Sequence, residues 1–187
     1  MIKRYILFAG VNGAGKTTLY QANPQIQDMP RINLDEMVRS IGTWKNPVDV
    51  QTAGMQAVRL IDKYFKEGIS FNQETTLCGN AIMKYIGRAK KESYVIELHY
   101  VGLDSAEIAK ARIRQRVRDG GHGVSDEDID RRYLESIKRL NEMPSICERI
   151  LLYDNTDRFI KVAGYKNGKW KEVVKTLPKW VELTELF

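Results

Sequence analysis

A glycine-rich segment near the start of the chain has the residue types needed to hold phosphate groups. Residues 10–17 read GVNGAGKT and follow a short apolar run over residues 5–9, which predicts a buried strand that ends in a tight loop. In such a loop, glycines let successive backbone N–H groups face phosphate oxygens, a lysine contacts the β and γ phosphates, and a threonine hydroxyl ligates Mg²⁺. We therefore predict that the chain binds a nucleoside triphosphate. The nucleotide-binding residues predicted here are Gly10, Asn12, Gly13, Ala14, Gly15, Lys16, Thr17 and Thr18, with Thr17 also the metal ligand.

Two carboxylates further along the chain are candidates for chemistry on a phosphate acceptor. Asp35 follows the second predicted strand, and Glu74 with Thr75 follows the third. Carboxyl ends of parallel strands meet at one edge of a sheet, so we expect all three residues near Lys16. Phosphoryl transfer uses a carboxylate that accepts the proton of the attacking hydroxyl, and Asp35 is our candidate for that base. Glu74 would orient the acceptor hydroxyl or a water on Mg²⁺. There is an alternative for each carboxylate. Asp35 could serve only to stabilise the first turn of its helix through the helix dipole, and Glu74 could be only a polar residue at the end of a strand.

A basic helical segment at about residues 104–141 could supply positive charge. It contains two predicted helices separated by the glycine cluster of residues 120–123. Such a pair can close over the phosphates as a lid, exclude water and bring guanidinium groups to the transferring phosphoryl group. The alternative is a solvated helical hairpin whose acidic residues balance the basic ones. We interpret His122 as a turn residue or a lid-closing hydrogen-bond partner. The arginines concerned are Arg112, Arg114, Arg116, Arg118, Arg131 and Arg132.

Strands and helices alternate along the chain, and these elements must position the candidate residues. Strands are predicted over residues 5–9, 30–33, 69–72, 94–101 and 149–153, with the long helices at 47–67 and 80–91. This alternation predicts an α/β P-loop NTPase fold with a mainly parallel five-stranded sheet and helices on both faces. Asn167-Gly168 predicts a C-terminal β-hairpin, which we interpret as an appendage. We predict one domain over residues 1–187, with the hairpin and tail at about 157–187.

Composition narrows the classes of protein further. The chain has 187 residues, 43% hydrophobic and 29% charged, which is ordinary for a globular protein. Two cysteines, Cys78 and Cys147, form no close pair, so we expect neither a disulfide framework nor a zinc site but a reducing cytoplasm. No run of eighteen apolar residues is present, and we expect a soluble protein without a membrane partner. The net charge of +6 favours anionic partners, but nucleic acid is not expected because no aromatic and basic stacking motif is visible.

Several segments in the same order resemble the zeta toxin family of P-loop kinases over residues 1–156. The P-loop is common to many families, whereas the glutamate-threonine segment and the GGH lid are more specific to this one. The segments are GVNGAGKTT at 10–18, NLDE at 33–36, FNQETTL at 71–77, RVRDGGHGV at 116–124, RRY at 131–133 and YDNT at 153–156.

The resemblance implies ATP-dependent phosphorylation of a sugar hydroxyl, with UDP-N-acetylglucosamine the substrate associated with toxin members. It implies ATP and Mg²⁺ as cofactors, a small-molecule substrate and a protein antitoxin as a partner. The larger toxins carry an extended carboxyl-terminal region that is missing here, so a different acceptor is also open. The resemblance implies these roles: Lys16 and Thr17 hold phosphate and metal, Asp35 is the base, Glu74 and Thr75 contact substrate, Arg116 and Arg132 clamp the phosphates, and Arg118 and Asn155 bind the nucleotide.

The same residues are also compatible with other functions. Arg118 could replace Arg116, and Arg131 could replace Arg132, because neighbouring arginines are close in sequence. The acceptor could be another small molecule, such as a nucleoside or an antibiotic. A non-kinase ATPase is a further alternative, for which Asp154 is the nearest candidate for a Walker B aspartate.

Overall fold

The computed structural model of the protein describes residues 2–187. The strands are β1 (Arg4–Ala9), β2 (Arg31–Ile32), β3 (Phe71–Thr75), β4 (Val95–Gly102), β5 (Arg149–Asp154), β6 (Ile160–Lys166) and β7 (Lys169–Glu172). The helices are α1 (Lys16–Gln21), α2 (Pro24–Gln27), α3 (Leu34–Ile41), α4 (Pro47–Glu67), α5 (Asn80–Lys91), α6 (Ala106–Arg118), α7 (Asp126–Leu140) and α8 (Lys179–Glu182), with a 3₁₀ turn at Met143–Ser145.

The strands form one sheet in the order β2-β3-β1-β4-β5-β6-β7. The first five are parallel, as predicted. β1 lies between β3 and β4, and its last residue, Ala9, pairs with Thr75 and Tyr100. The loop that follows β1 therefore begins at the centre of the carboxyl edge of the sheet.

The third strand begins two residues later than predicted and ends at Thr75. The residues before it, 68–70, are not part of the strand. Gly68 adopts a left-handed conformation and the Ile69 N–H donates to the Tyr64 carbonyl, so these residues cap the end of α4. Ser70 then accepts a hydrogen bond from the Arg4 N–H through its hydroxyl. Glu74 and Thr75 consequently belong to β3 itself rather than to the loop after it.

The C-terminal hairpin is present and turns at Asn167 and Gly168, both with positive φ. It is not an appendage, and that interpretation was wrong. β6 pairs antiparallel with β5 from Arg149 to Asp154, so the hairpin extends the sheet to seven strands. The physical reason is that β5 would otherwise leave a row of unpaired backbone groups at the sheet edge.

Helices cover both faces of the sheet, as predicted. Along β1 the side chains alternate, with Tyr5 and Leu7 on one face and Ile6 and Phe8 on the other. The Tyr5 face packs against α4 and α5, and the Ile6 face packs against α1, α6 and α7. No helix within residues 2–187 is both long enough and apolar enough to cross a bilayer.

Candidate active site

The loop after β1 has the backbone conformation of a phosphate-binding loop. Gly10, Gly13 and Gly15 have φ values of 138°, 80° and 104°. Residues other than glycine rarely adopt such positive φ values, because their Cβ atom clashes with the backbone. A Cβ on Gly10 would also lie 2.3 Å from the Val101 carbonyl oxygen of β4. Glycine is thus required here both for conformation and for the close approach to the sheet.

Lys16 and Thr17 begin α1 directly after this loop. No side chain caps the start of α1, and its first turn has no acidic residue, so its free N–H groups suit phosphate oxygens. The Lys16 ammonium is buried, donates to the Val11 carbonyl at 3.1 Å and lies 3.9 Å from Glu74 Oε1. Burial lowers the pKa of Lys16, and the carboxylates of Glu74 and Asp35 oppose that shift. This donor set fits the phosphates of a nucleotide.

Glu74 is held beside Thr17 by several donors. The Thr17 hydroxyl donates to Glu74 Oε2 at 3.0 Å, and Arg31 Nη2 and Asn33 Nδ2 donate to the same oxygen at 2.7 and 2.9 Å. Within residues 2–187 no group of three or more His, Cys, Asp or Glu side chains could enclose a metal ion. The adjacent oxygens of Thr17 and Glu74 suit Mg²⁺, which takes few protein ligands and completes its shell with water and phosphate oxygens.

Arg31 is a part of the site that the sequence interpretation missed. Its guanidinium stacks over the Tyr20 ring at 3.6 Å and also contacts Glu36 at 3.0 Å. It therefore joins α1, α3 and β3 beneath the cleft. The available signal was an arginine within the second predicted strand, residues 30–33. The partners of its side chain depend on tertiary structure, so the sequence did not reveal its role.

Asp35 lies in the first turn of α3 and faces the lid segment. The Asn33 side chain caps this helix by accepting from the N–H groups of Asp35 and Glu36. Asp35 Oδ2 accepts from Arg116 Nη2 at 2.8 Å, and Oδ1 lies 3.6 Å from His122 Nε2. The predicted base and the predicted phosphate clamp are thus in direct contact.

His122 and Trp44 complete this cluster. His122 hydrogen-bonds Arg116 through Nδ1, and its ring stacks on Trp44 at 4.1 Å. Burial lowers the pKa of His122. The Asp35 carboxylate opposes this shift, and the nearby arginines reinforce it. The buried Trp44 N–H has no partner in the described chain. Sequence reasoning missed Trp44, although a tryptophan in the polar connection between α3 and α4 was a usable signal.

The arginine pairs that the sequence could not separate differ in their surroundings. Arg132 Nη1 donates to Asn12 Oδ1 at 3.0 Å and so faces the P-loop. Arg131 borders the cleft, but its guanidinium pairs with Asp128 and Glu135. Arg118 is exposed, donates to Gln115 and does not line the cleft. The structure therefore brings Arg116 and Arg132, rather than Arg118, to the cleft wall.

Residues directly after β5 are joined to the P-loop by hydrogen bonds. Asn155 Nδ2 donates to the Ala14 carbonyl at 2.8 Å, and Arg112 Nη2 donates to the Asn155 and Thr156 carbonyls at 2.7 and 3.1 Å. Arg112 is a third residue whose role the sequence did not reveal. Asp154 is buried and accepts from Trp180 Nε1 at 3.0 Å, so it lies within the fold rather than beside Thr17.

Ten of the predicted site residues line one cleft of about 1290 Å³. Gly10, Ala14, Thr18, Arg118 and Asn155 do not line it, and Thr75, which does, also accepts a hydrogen bond from the Leu77 N–H. The volume exceeds the roughly 300–1,000 Å³ of a pocket for one small ligand. The residues on the wall are Asn12, Gly13, Gly15, Lys16, Thr17, Asp35, Glu74, Thr75, Arg116 and Arg132.

Known proteins resemble the chain in sequence. The AAA domain family model matches residues 6–144. An uncharacterized protein of Haemophilus influenzae is 34% identical over 137 residues, which cover 71% of this chain and 94% of that protein. An adenylate kinase of Rickettsia akari is 26% identical over 181 residues, covering 91% of this chain and 77% of the enzyme.

Solved structures resemble the chain in fold. A chain of the AvrRxo1-ORF1:AvrRxo1-ORF2 structure with sulphate ions matches with a TM-score of 0.70 at 16% identity, covering 92% of this chain and 61% of that one. A chain from the PezAT chromosomal toxin-antitoxin system of Streptococcus pneumoniae matches with a TM-score of 0.67 at 23% identity, covering 100% and 78%. The chain thus spans less than two thirds of the AvrRxo1 protein. Because the AAA domain family model matches residues 6–144, the chain belongs to the AAA domain family, and it has an α/β P-loop kinase-like fold.

Proposed function

We propose that the protein is an ATP-dependent kinase that transfers the γ-phosphoryl group to a hydroxyl of a small, nucleotide-activated sugar such as UDP-N-acetylglucosamine. The observation that carries this proposal is the position of Asp35. Its carboxylate shares a cleft with Lys16 and Thr17 and contacts Arg116 at 2.8 Å. A hydroxyl acceptor must lose a proton during transfer, and a carboxylate opposite the P-loop meets that need.

Arg116 would have two alternative partners during the reaction. In the described conformation it pairs with Asp35, and this ion pair occupies one oxygen of that carboxylate. The phosphates of ATP would attract Arg116 and Arg132, since fixed cations stabilise the charge of the transferring group. Movement of Arg116 toward the phosphates would free Asp35 for the acceptor hydroxyl.

Glu74 and Thr17 would hold the metal ion. A bound Mg²⁺ would neutralise phosphate charge, while Glu74, fixed by Arg31 and Asn33, would orient a metal-bound water or the acceptor. Trp44 lines the same cleft, and its ring would form part of the acceptor side. Thr75 would contact the acceptor from β3.

The structural neighbours support the zeta-toxin-like form of this proposal. The PezAT neighbour comes from a toxin-antitoxin system, and an AvrRxo1-ORF1:ORF2 neighbour with ATP has a TM-score of 0.63. On this analogy we propose ATP as the phosphate donor and a protein antitoxin as a partner. Both cysteines are free thiols, which supports a reducing compartment such as the cytoplasm.

We also propose that residues 1–187 act as one domain with a closing lid. The lid, about residues 104–141, comprises α6 and α7, and the hairpin and tail occupy about residues 157–187. The Trp44–His122 stack and the Arg116–Asp35 ion pair join this lid to the α3 side of the cleft. Ile113 and Ile129 hold the two helices against the sheet, so opening would be confined to the end of the lid around His122, where these contacts would separate to admit substrates and then re-form around them.

The adenylate kinase relative supports a second candidate, transfer to a nucleoside monophosphate. A phosphate acceptor is already ionised at neutral pH, so that reaction needs no base. The Asp35→Asn variant therefore distinguishes the two activities. It should slow transfer to a hydroxyl about 10²–10⁴-fold but largely retain transfer to a phosphate.

Mass spectrometry of an acceptor panel incubated with ATP, Mg²⁺ and protein tests the proposal. The panel contains nucleotide sugars, nucleosides, aminoglycoside antibiotics and AMP. We expect a mass gain of one phosphate on a nucleotide sugar with the wild type and with the surface control Asp62→Asn, and none with Asp35→Asn. Phosphorylation of AMP alone would replace the proposal by the second candidate, and ATP hydrolysis without any modified acceptor would contradict both.

A further inference from the structure

A second cavity, of about 460 Å³, lies over the amino-terminal parts of β1, β4 and β5. It shares no lining residue with the phosphate-binding cleft. Arg4 and Arg149 are the first residues of β1 and β5, whereas the P-loop follows the opposite end of β1. The connection from α1 into α2, residues 22–26, forms the other wall.

Polar side chains occupy this cavity where the strand pattern calls for apolar ones. Glu97 and His99 pair in register with Ile6 and Phe8, so they lie on the same covered face of the sheet. Glu97 and His99 are only 6% and 3% exposed. Burial of two such groups side by side has a free-energy cost unless partners satisfy them.

Those partners are incomplete. Glu97 Oε1 accepts from Arg4 Nε at 2.9 Å, but Glu97 Oε2 has no hydrogen bond in the described chain. Neither ring nitrogen of His99 has a partner there either. Arg149 Nη1 lies 3.8 Å from Glu97 Oε2, beyond hydrogen-bond distance. The cavity therefore combines an unused acceptor, an unused imidazole and a half-exposed guanidinium.

The protonation and charge of these groups indicate which donors and acceptors a ligand would need. Burial, together with the charges of Arg149, Arg4 and Lys161, lowers the pKa of His99 to about 4. At neutral pH the ring accordingly has one N–H donor and one lone pair. Arg149 and the His99 N–H suit an anionic oxygen, whereas Glu97 Oε2 needs a donor from the ligand.

We propose that this cavity is a binding site for a small anion that also carries a hydroxyl or amino group. Arg149 and His99 contact its carboxylate or phosphate, and Glu97 accepts a hydrogen bond from its donor group. The volume lies within the roughly 300–1,000 Å³ typical of small-ligand sites. The site is separate from the phosphoryl-transfer cleft and does not depend on the proposed function.

Imidazole NMR on the wild-type protein tests this proposal, because the chain has only two histidines. His99 reports on this cavity and His122 on the cleft, and a His99→Gln variant assigns the signals. The probes are L-serine and glycerol phosphate, which carry both groups, and acetate and inorganic phosphate, which lack a carbon-borne donor. We expect the His99 chemical shift to change saturably with L-serine if the site takes a carboxylate, or with glycerol phosphate if it takes a phosphate. The matching simple anion, acetate or inorganic phosphate, should bind about tenfold more weakly.

Variants locate the contacts. Arg149→Gln should weaken the binding of the effective probe about tenfold or more, whereas Arg59→Gln, at an exposed position of α4, should leave it unchanged. Circular dichroism confirms that each variant is folded. An unchanged His99 signal with all four probes, or equal binding to wild type and Arg149→Gln, would overturn the site. Equal affinity for acetate and serine, and for phosphate and glycerol phosphate, would overturn the role of Glu97.

Discussion

At the scale of single residues, Arg116 is the group on which the proposed chemistry depends. Its guanidinium contacts both Asp35 and His122, and Gly121 has no room for a side chain because Arg116 packs against it. Arg118, two positions along the same helix, is exposed, and its guanidinium donates hydrogen bonds to the Gln115 side chain. Adjacent arginines in one motif thus have very different surroundings.

Replacing Arg116 by Met should lower kcat for acceptor phosphorylation about 10²–10³-fold, because one fixed cation is lost from the transition state. The Arg118→Met variant should remain within about threefold of wild type, as should the exposed control Arg114→Met. Steady-state kinetics on the acceptor found in the panel makes the comparison. A larger loss for Arg118→Met than for Arg116→Met would reverse the assignment.

His99 should make stability depend on pH. Its pKa is lowered from 6.5 to about 4 in the folded protein, so the unfolded chain binds more protons between these values. The free energy of unfolding should therefore fall as the pH drops from about 6.5 to about 4, with a His99 contribution of at most about 3 kcal/mol.

Urea unfolding at several pH values measures this contribution. The His99→Gln variant should show a flatter dependence over that interval, while His122→Gln should retain most of the wild-type slope. An identical slope in wild type and His99→Gln would contradict a neutral, buried His99.

At the scale of elements, the sequence was most informative where periodicity and a stop signal coincide. α4 has its predicted bounds because apolar residues recur at helical spacing and Gly68 then provides the left-handed end. β3 begins two residues later than the strand pattern predicts, because the capped end of α4, not strand propensity, determines the conformation of residues 68–70. The pairing of β6 with β5 satisfies backbone groups at the open edge of the sheet. That edge exists only once the strands are assembled, so no local sequence pattern predicts the pairing.

The same distinction explains which parts of the candidate site could be predicted. The P-loop and Asp35 follow strand ends and Glu74 lies in the last part of β3, so topology alone brings them to one edge. Arg31, Trp44 and Arg112 act through partners far away in sequence, and their roles depend on packing between elements. Sequence motifs therefore identify the groups that would contact ligands better than the groups that support them.

The C-terminal helix α8 is tied to β5 by a buried hydrogen bond, and its loss should be measurable. Trp180 is fully buried and donates through Nε1 to Asp154. Trp180→Phe should lower the free energy of unfolding by about 1–3 kcal/mol, because a buried carboxylate loses a donor. Trp170→Phe, in the half-buried hairpin stack with Tyr165, should cost less than about 1 kcal/mol. Equal costs in chemical denaturation would argue against this anchoring.

At the scale of the whole molecule, the two sides of the cleft meet through side chains rather than through continuous backbone. Trp44 from the α3–α4 connection stacks on His122 of the lid segment, and Asp35 pairs with Arg116. Both contacts involve the residues proposed to respond to ATP. We expect nucleotide binding to rearrange them together, since Arg116 cannot remain paired with Asp35 while it clamps phosphates.

Tryptophan fluorescence should detect this rearrangement. The chain has three tryptophans, of which only Trp44 lines the cleft. Addition of a non-hydrolysable ATP analogue with Mg²⁺ should change the emission of wild type, Trp170→Phe and Trp180→Phe, but not of Trp44→Phe. An undiminished change in Trp44→Phe would show that the Trp44–His122 contact does not respond to nucleotide.

The most direct test of the proposed kinase activity is a single-turnover reaction with ATP labelled in its γ-phosphate, run with the acceptor identified in the panel. The label should pass to the acceptor in wild type, with little free phosphate formed. In Asp35→Asn its appearance on the acceptor should slow about 10²–10⁴-fold, because the hydroxyl loses its base. Release of all the label as inorganic phosphate, at equal rates in both proteins, would contradict phosphoryl transfer to a hydroxyl and the role of Asp35 in it.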